Sequence, residues 1–379
     1  MKYKYPVSQP DLSGKEKEYV NEALESGWIS SAGKYVQEFE KLFAHKHVGT
    51  DLRPARGVAC SSGTNGLILA LRALGVKAGD EVIVPEFTMV ASAWAVSMCG
   101  ANPVFVDCTF EGLIDPAKIE AAITEKTKAI MPVHIYGRQC DMDKIMTIAH
   151  DYGLRVVEDS CEAHGVAIRG DIAVYSLYGN KIITAGEGGI CITKDSYLAD
   201  QMEHLRGMAF EKNHTFLHKK LGYNFRMTNL QAAVALAQTE RLEEFLEKRR
   251  QIEEWYNEGL KDLGITRPSR KVLWMYDISV SMHDREDLRA FLESKGIETR
   301  LFFKPMSMQP MYFNPEYMRT VAYKLSLEGF YLPTYTSLQK EDVEYICGAI
   351  KEFYERKKTK ESATRGKSEP ESEAPGTSE

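Results

Sequence analysis

Nowhere does this chain approach the roughly 20 consecutive apolar residues that a membrane span needs, and its opening, MKYKYPVSQP, has no apolar h-region. Neither a membrane protein nor a secretory leader is therefore expected. The seven cysteines (Cys60, Cys99, Cys108, Cys140, Cys161, Cys191 and Cys347) are scattered, odd in number and form no CxxC pair. That pattern indicates neither a zinc site nor a disulfide framework, and it fits a reducing, cytoplasmic compartment. Neither sign of charge dominates, since 48 basic against 54 acidic residues leave a formal charge of -6. Nucleic acid and anionic membrane surfaces are accordingly not expected as partners. Repeats at solenoid periods are lacking as well.

What is present is a strand and helix alternation long enough for two domains. Apolar runs rich in β-branched residues predict strands over 57–60, 81–84, 103–107, 129–134, 154–159 and 172–177 and in GGICIT. Helical spacing predicts helices over 13–24, 65–74, 89–99, 141–152 and 196–208. Thr228 or Asn229 caps what reads as one long helix, LQAAVALAQTERLEEFLEKRRQIEEWYNEGL. Its small and apolar first half should pack on the body and its charged second half should lead to a second unit. This rhythm predicts an α/β fold: a large, mixed but mostly parallel sheet sandwiched by helices, over residues 1–240, and a smaller C-terminal α/β domain over 241–355. Residues 356–379 are Ser, Pro, Gly and charge, which predicts a disordered tail.

Chemistry concentrates around YSLYGNKIITAGEGG, residues 175–189. Lys181 lies between two predicted strands, and an amine shielded from bulk water can condense with an aldehyde; a solvated loop lysine is the plain alternative. The turn SSGT, residues 61–64, precedes a helix. Its Gly63 and Thr64, with the free amides at the helix start, would cradle a dianion, although a simple Ser/Thr cap explains the same letters. Asp159 ends a strand where α/β sheets bind their ligands; it is either a turn residue or a carboxylate that keeps a pyridine nitrogen protonated. Trp28, in the loop 27–33, either pins that loop or touches substrate. His214 and His218 have no metal-ligand spacing and read as loop residues, His214 as a candidate near substrate.

These pieces, in order, resemble the DegT/StrS-type sugar aminotransferases among the fold-type I pyridoxal phosphate (PLP) enzymes, over about residues 5–355. The resemblance is carried by SGWIS, SSGTNGLILAL, GDEVIVPEFT, PVFVD, VHIYG, DMD, VVEDSCEAHG, SLYGNKIITAGEGG, LGYNFRMTNLQAA and GIETR. It implies PLP as cofactor, with pyridoxamine phosphate as the intermediate form, and L-glutamate as amino donor. The form GNK-x-x-T-x-GEGG further implies amination at C4 of a nucleotide-linked 4-keto-6-deoxy sugar. A dTDP- or UDP-linked 4-keto or 3-keto sugar is the alternative, and a non-catalytic sensor or scaffold a distant one. A sugar dehydratase of the same fold would carry histidine where Lys181 stands.

By the same resemblance Lys181 is the Schiff-base lysine, Asp159 the partner of the pyridinium and Glu162 the neighbour of the phenolic oxygen. Ser62, Gly63, Thr64 and Ser176 match phosphate ligands. Asn224 and Arg226 match the segment that reaches the phosphate of a neighbouring subunit, which implies a homodimer with shared active sites. Met89 stands where many relatives place an aromatic ring against the cofactor. His134, Tyr136, Trp28, His214, Arg300 and Phe303 are implied for the sugar pocket.

Overall fold

The computed structural model describes residues 2–48, 54–211, 216–265 and 268–365. Helices α1 (Glu16–Glu25) and α2 (Lys34–His47) precede β1 (Arg56–Cys60) and α3 (Gly63–Ala73). Next come β2 (Glu81–Pro85), α4 (Ala91–Met98), β3 (Asn102–Val106), the short α5 (Pro116–Ile119), β4 (Thr127–Ile130), α6 (Met142–Asp151) and β5 (Arg155–Asp159). The alternation finishes with β6 (Ile172–Ser176), β7 (Gly189–Thr193) and α7 (Ser196–Arg206). Beyond it lie α8 (Asn229–Glu240), α9 (Leu242–Gly259), β8 (Tyr276–Ser279), α10 (Arg285–Ser294), β9 (Arg300–Leu301), α11 (Val321–Glu328), β10 (Gly329–Leu332) and α12 (Lys340–Arg365).

Among the described residues seven strands form the main sheet, in the order β1-β7-β6-β5-β4-β2-β3. Pairing is parallel from β6 to β3, whereas β7 runs antiparallel to both β6 and β1. The central strands β5, β6 and β7 are buried on both faces because side chains alternate between two cores, whereas the edge strand β3 is mostly half-buried. Val156, Ala173, Ile190 and Ile192 point to the side covered by α2, α6 and α8, and Val157, Val174 and Cys191 to the side covered by α3, α4 and α7. A second, antiparallel sheet, β8-β10-β9, has a separate core with α9, α10 and α12. The N-terminal segment joins it through a bridge between Tyr5 and Ile297.

Three expectations needed correction. The single long helix divides at Arg241 into α8 and α9. Thr239 Oγ1 bonds back to the Ala235 carbonyl at 2.6 Å, which bends helices, and the Arg241 guanidinium is drawn to Asp11 and Glu244. The regular strand expected over 129–134 ends at Ile130; Pro132 offers no N–H to the ladder, and pairing with β5 continues only as a bridge between Val133 and Asp159 before the chain turns at Ile135–Gly137. At the other end, α12 runs to Arg365, into the segment expected to be disordered. Arg356 is tied to Glu352 at 2.5 Å and Lys357 to Asp284 at 2.5 Å, which extends the helix past its packed portion. Residues 366–379 lie outside the described residues.

Candidate active site

The C-terminal ends of β5 and β6 and the N-terminus of α3 converge on a cavity of about 410 Å³. At the helix end, Ser62 is extended (φ -165°, ψ 162°) and its Oγ accepts from the Asn65 N–H at 3.1 Å. The amides of Gly63 and Thr64 are among the four that a helix start leaves without intrahelical partners. Gly63 allows this end to sit hard against the strands, since a Cβ there would stand 2.9 Å from Cys161 Sγ and from Ser176 Cβ. The Ser176 hydroxyl, at the end of β6, accepts from the Tyr178 N–H at 3.3 Å and lines the same wall.

Opposite the helix end, Asp159 closes β5 with only 5% of its surface exposed. Its Oδ2 accepts from Ser92 Oγ at 2.7 Å and its Oδ1 from the Cys161 N–H at 3.1 Å. Thr88 Oγ1 lies 3.0 Å from Ser92 Oγ; with the Ser92 proton given to Asp159, Thr88 is the donor of that bond. The Cys161 thiol beside it is pushed well above its ordinary pKa by burial and by Asp159, so it stays protonated.

Lys181 enters from the loop after β6, its side chain 11% exposed, with Nζ 3.6 Å from Glu162 Oε1. Glu162 Oε2 accepts from the Tyr136 N–H at 2.9 Å, and Tyr136 holds a left-handed backbone (φ 53°) that side chains other than glycine rarely adopt. Burial raises the Glu162 carboxyl to about 7, against the opposing pull of the Lys181 charge and the Tyr136 amide.

The cavity thus gathers Lys181, Asp159, Glu162, Ser62, Gly63, Thr64 and Ser176, and Met89, Arg300 and Phe303 at its sides. Met89 remains 47% exposed; its sulfur receives the Ala91 N–H at 3.3 Å. Other expected residues lie elsewhere. His134 and Tyr136 are fully buried and do not line the cavity. The His134 ring is spoken for, with Nε2 2.9 Å from Glu158 and Nδ1 accepting from the Cys140 N–H at 3.2 Å. Tyr136 belongs to a stack of rings with Trp274 and Phe303. Neither side chain therefore faces this chain's own cavity.

Trp28 is 60% exposed at a separate cleft, where its carbonyl accepts from Asn229 Nδ2. Asn224 and Arg226 bond to each other at 3.1 Å on a segment that does not line the cavity. His214 lies outside the described residues.

Sequence reasoning missed Ser92, Trp274 and Tyr331, the first bonding Asp159 and the other two lining the cavity. None carries a motif signal: Ser92 sits in an apolar helix, and Trp274 and Tyr331 read as core of the second unit.

The donor set fits pyridoxal phosphate: free helix-start amides and a hydroxyl for a phosphate, a strand-end carboxylate for a ring nitrogen, and a buried amine for an aldehyde. Fold and cavity together define the class, a fold-type I, PLP-dependent aminotransferase. More particularly, the chain belongs to the DegT/DnrJ/EryC1/StrS aminotransferase family, whose pattern matches residues 10–351. It is 44% identical over 371 residues to the GDP-perosamine synthase of Escherichia coli O157:H7, covering 94% of this chain and 100% of that one. To the GDP-perosamine synthase of Caulobacter vibrioides it is 42% identical over 368 residues, covering 91% and 96%. Among solved structures, Spr1654 from Streptococcus pneumoniae in its PLP-form superposes with a TM-score of 0.86 at 26% identity, covering 93% and 99%.

Proposed function

We propose that this aminotransferase moves the amino group of L-glutamate to C4 of a GDP-linked 4-keto-6-deoxy sugar, as a GDP-perosamine synthase does. The observation that carries this reading is the 44% identity along the whole length of the E. coli protein. When bound, pyridoxal phosphate supplies an aldehyde for the lysine and a protonated ring that takes up the electron pair of a broken C–H bond.

The chain's own residues do the rest. Lys181 would hold the aldehyde and, as a free amine inside the cavity, would serve as the base that moves the substrate's proton. Asp159, fixed by Ser92, would keep the ring nitrogen protonated. Glu162 sits beside the Lys181 amine as its acidic neighbour. Ser62, Gly63, Thr64 and Ser176 would hold the phosphate and so fix the cofactor's position relative to Lys181. Glutamate enters and 2-oxoglutarate leaves; the keto sugar then enters and leaves as the amino sugar. Arg300 and Phe303, around the cavity, are proposed sugar-side contacts, and Met89 a proposed contact to the cofactor ring.

We further propose a homodimer with shared sites. Asn224 and Arg226 are exposed away from this chain's own cavity, on a segment that also presents Phe216, Leu217 and Leu221 with 66 to 88% of their surfaces exposed. A cytoplasmic location is proposed on the free cysteines. Among the described residues no helix is long and apolar enough to cross a membrane. The division into 1–240 and 241–355 is supported by the separate core around β8 and β10.

The test is a panel of GDP-, dTDP- and UDP-linked 4-keto and 3-keto sugars, each incubated with the PLP-loaded protein and L-glutamate, with products read by mass and NMR. The expected product is the C4 amine of the GDP sugar, absent with Lys181→Ala. Amination of a dTDP or UDP sugar in preference, or at C3, would replace this substrate assignment.

A further inference from the structure

Lys181 has a second neighbour besides Glu162. Its Nζ lies 4.1 Å from the centroid of the Trp274 ring, within cation-π range. The same indole donates its Nε1–H to the carbonyl of Asn180 at 2.9 Å. One side chain therefore grips two consecutive residues, the backbone of Asn180 by its edge and the amine of Lys181 by its face.

Trp274 is itself held from several sides and is only 2% exposed. Arg249 Nη1 donates to the Trp274 carbonyl at 2.7 Å, and Arg270 Nη1 to the next-door Met275 carbonyl at 2.8 Å. The amides of Lys271 and Val272 both donate to the Gly137 carbonyl, at 3.0 and 3.1 Å. That docks the tryptophan's segment onto the loop bearing Tyr136, whose ring lies nearly parallel to the indole at 5.9 Å.

We propose that Trp274 is a positioning residue that parks the Lys181 amine inside the cavity whenever it is not joined to the cofactor. The inference rests on the aminotransferase reading, in which the amine is released and needed again in each half of the reaction. A lysine left loose has several rotors to immobilise before it can act. The indole face at 4.1 Å and the Glu162 carboxylate at 3.6 Å together hold the amine inside the cavity.

The test reads the amine in the cofactor-free protein. Brief acetylation with acetic anhydride, followed by peptide mass spectrometry, gives the labelling rate of Lys181 against Lys144, whose side chain is 72% exposed. Trp274→Leu should raise the relative rate at Lys181 by on the order of tenfold, the loss expected of a desolvated cation-π contact. Trp274→Phe keeps a ring face and loses the bond to Asn180; it should stay within about threefold of wild type. Equal rates in wild type and a normally folded Trp274→Leu protein would overturn the proposal, as would an increase in Trp274→Phe as large as in Trp274→Leu.

Should Trp274→Leu fail to fold, biosynthetic replacement of tryptophan by mono-, di- and trifluorinated analogues weakens the ring's attraction without changing its shape. The Lys181 rate should climb with each fluorine, and a flat series would refute the platform. Failure of wild-type protein to take up PLP at Lys181, read by borohydride reduction and peptide mass, would instead strike the aminotransferase assignment and leave the acetylation result to stand separately.

Discussion

Ser92 Oγ donates to Asp159 Oδ2 at 2.7 Å, joining the first turn of α4 to the end of β5 inside the protein. Asp159 thus has its orientation fixed before any ligand arrives, with Thr88 behind Ser92 as a further link. A hydrogen bond to a carboxylate contributes about 1.5–3 kcal/mol where both groups are buried. Ser92→Ala should therefore weaken PLP binding by about tenfold in an absorbance titration. Asp159→Asn retains the shape and should lower kcat by about two to three orders of magnitude, with a smaller effect on the melting temperature. Loss of folding as the main result of Asp159→Asn would make this carboxylate a structural group.

Glu162 gives a pH signature to the cofactor-free protein. Its carboxyl is raised from 4.5 to about 7 by burial, so the folded state holds a proton there that the unfolded chain has released. Stability from this group is fully present below pH 4.5 and is lost as pH rises through about 7. Glu162→Gln has no such proton to lose. Its stability relative to wild type, by urea unfolding across that window, should increase with pH by a total of about 2–4 kcal/mol. A pH-independent difference would mean that the carboxylate is already charged throughout, paired with Lys181.

How much of this could be read from the letters depends on whether contacts are local. Lys181, Gly63, Thr64 and Asp159 were legible because each sits in a short motif at a strand end, and chain direction alone brings strand ends together in a parallel sheet. Ser92 and Trp274 were not, because they meet Asp159 and Lys181 only through the packing of α4 and of the second unit. His134 lies just beyond the regular strand, which ends at Ile130, and only the structure reveals that its ring is committed to Glu158 and Cys140. The break at Arg241 is invisible for a different reason: helical periodicity continues through it, and the bend comes from a hydroxyl bonding back to its own helix.

Asp277 on β8 is expected to hold the second unit against the site. It pairs with Arg138, from the loop after β4, and its other oxygen lies 2.7 Å from Arg270, all three side chains being at most 3% exposed. Asp277→Asn would leave the buried Arg138 without its counter-charge and Arg270 with Glu253 alone, at 2.8 Å, a loss of about 3–5 kcal/mol. Because Trp274 lies just before β8, the same change should lower PLP affinity. Arg138→Met combined with Asp277→Leu removes the charges together and should recover part of the stability in urea. A double variant no more stable than Asp277→Asn would show that the pair is needed for shape rather than for charge balance.

Gly63→Ala separates the two things a glycine does at the helix start. Its φ is not in the left-handed region, so alanine meets no backbone penalty there and should even favour the helix. The obstacle is space: the new methyl would stand 2.9 Å from Cys161 Sγ and from Ser176 Cβ, and one of them must give way. Movement of Ser176 or of the α3 start shifts the amides and hydroxyl proposed to hold the phosphate. Gly63→Ala should accordingly fold, lose about 1–3 kcal/mol of stability to overpacking, and bind PLP at least about tenfold more weakly. Adding Cys161→Ala removes the sulfur contact while leaving Ser176 in place. If the double variant regains stability but not PLP affinity, the cradle depends on the spacing between α3 and β6; if both return, the clash with Cys161 was the whole effect. Unchanged affinity in Gly63→Ala itself would move the phosphate site away from this helix start.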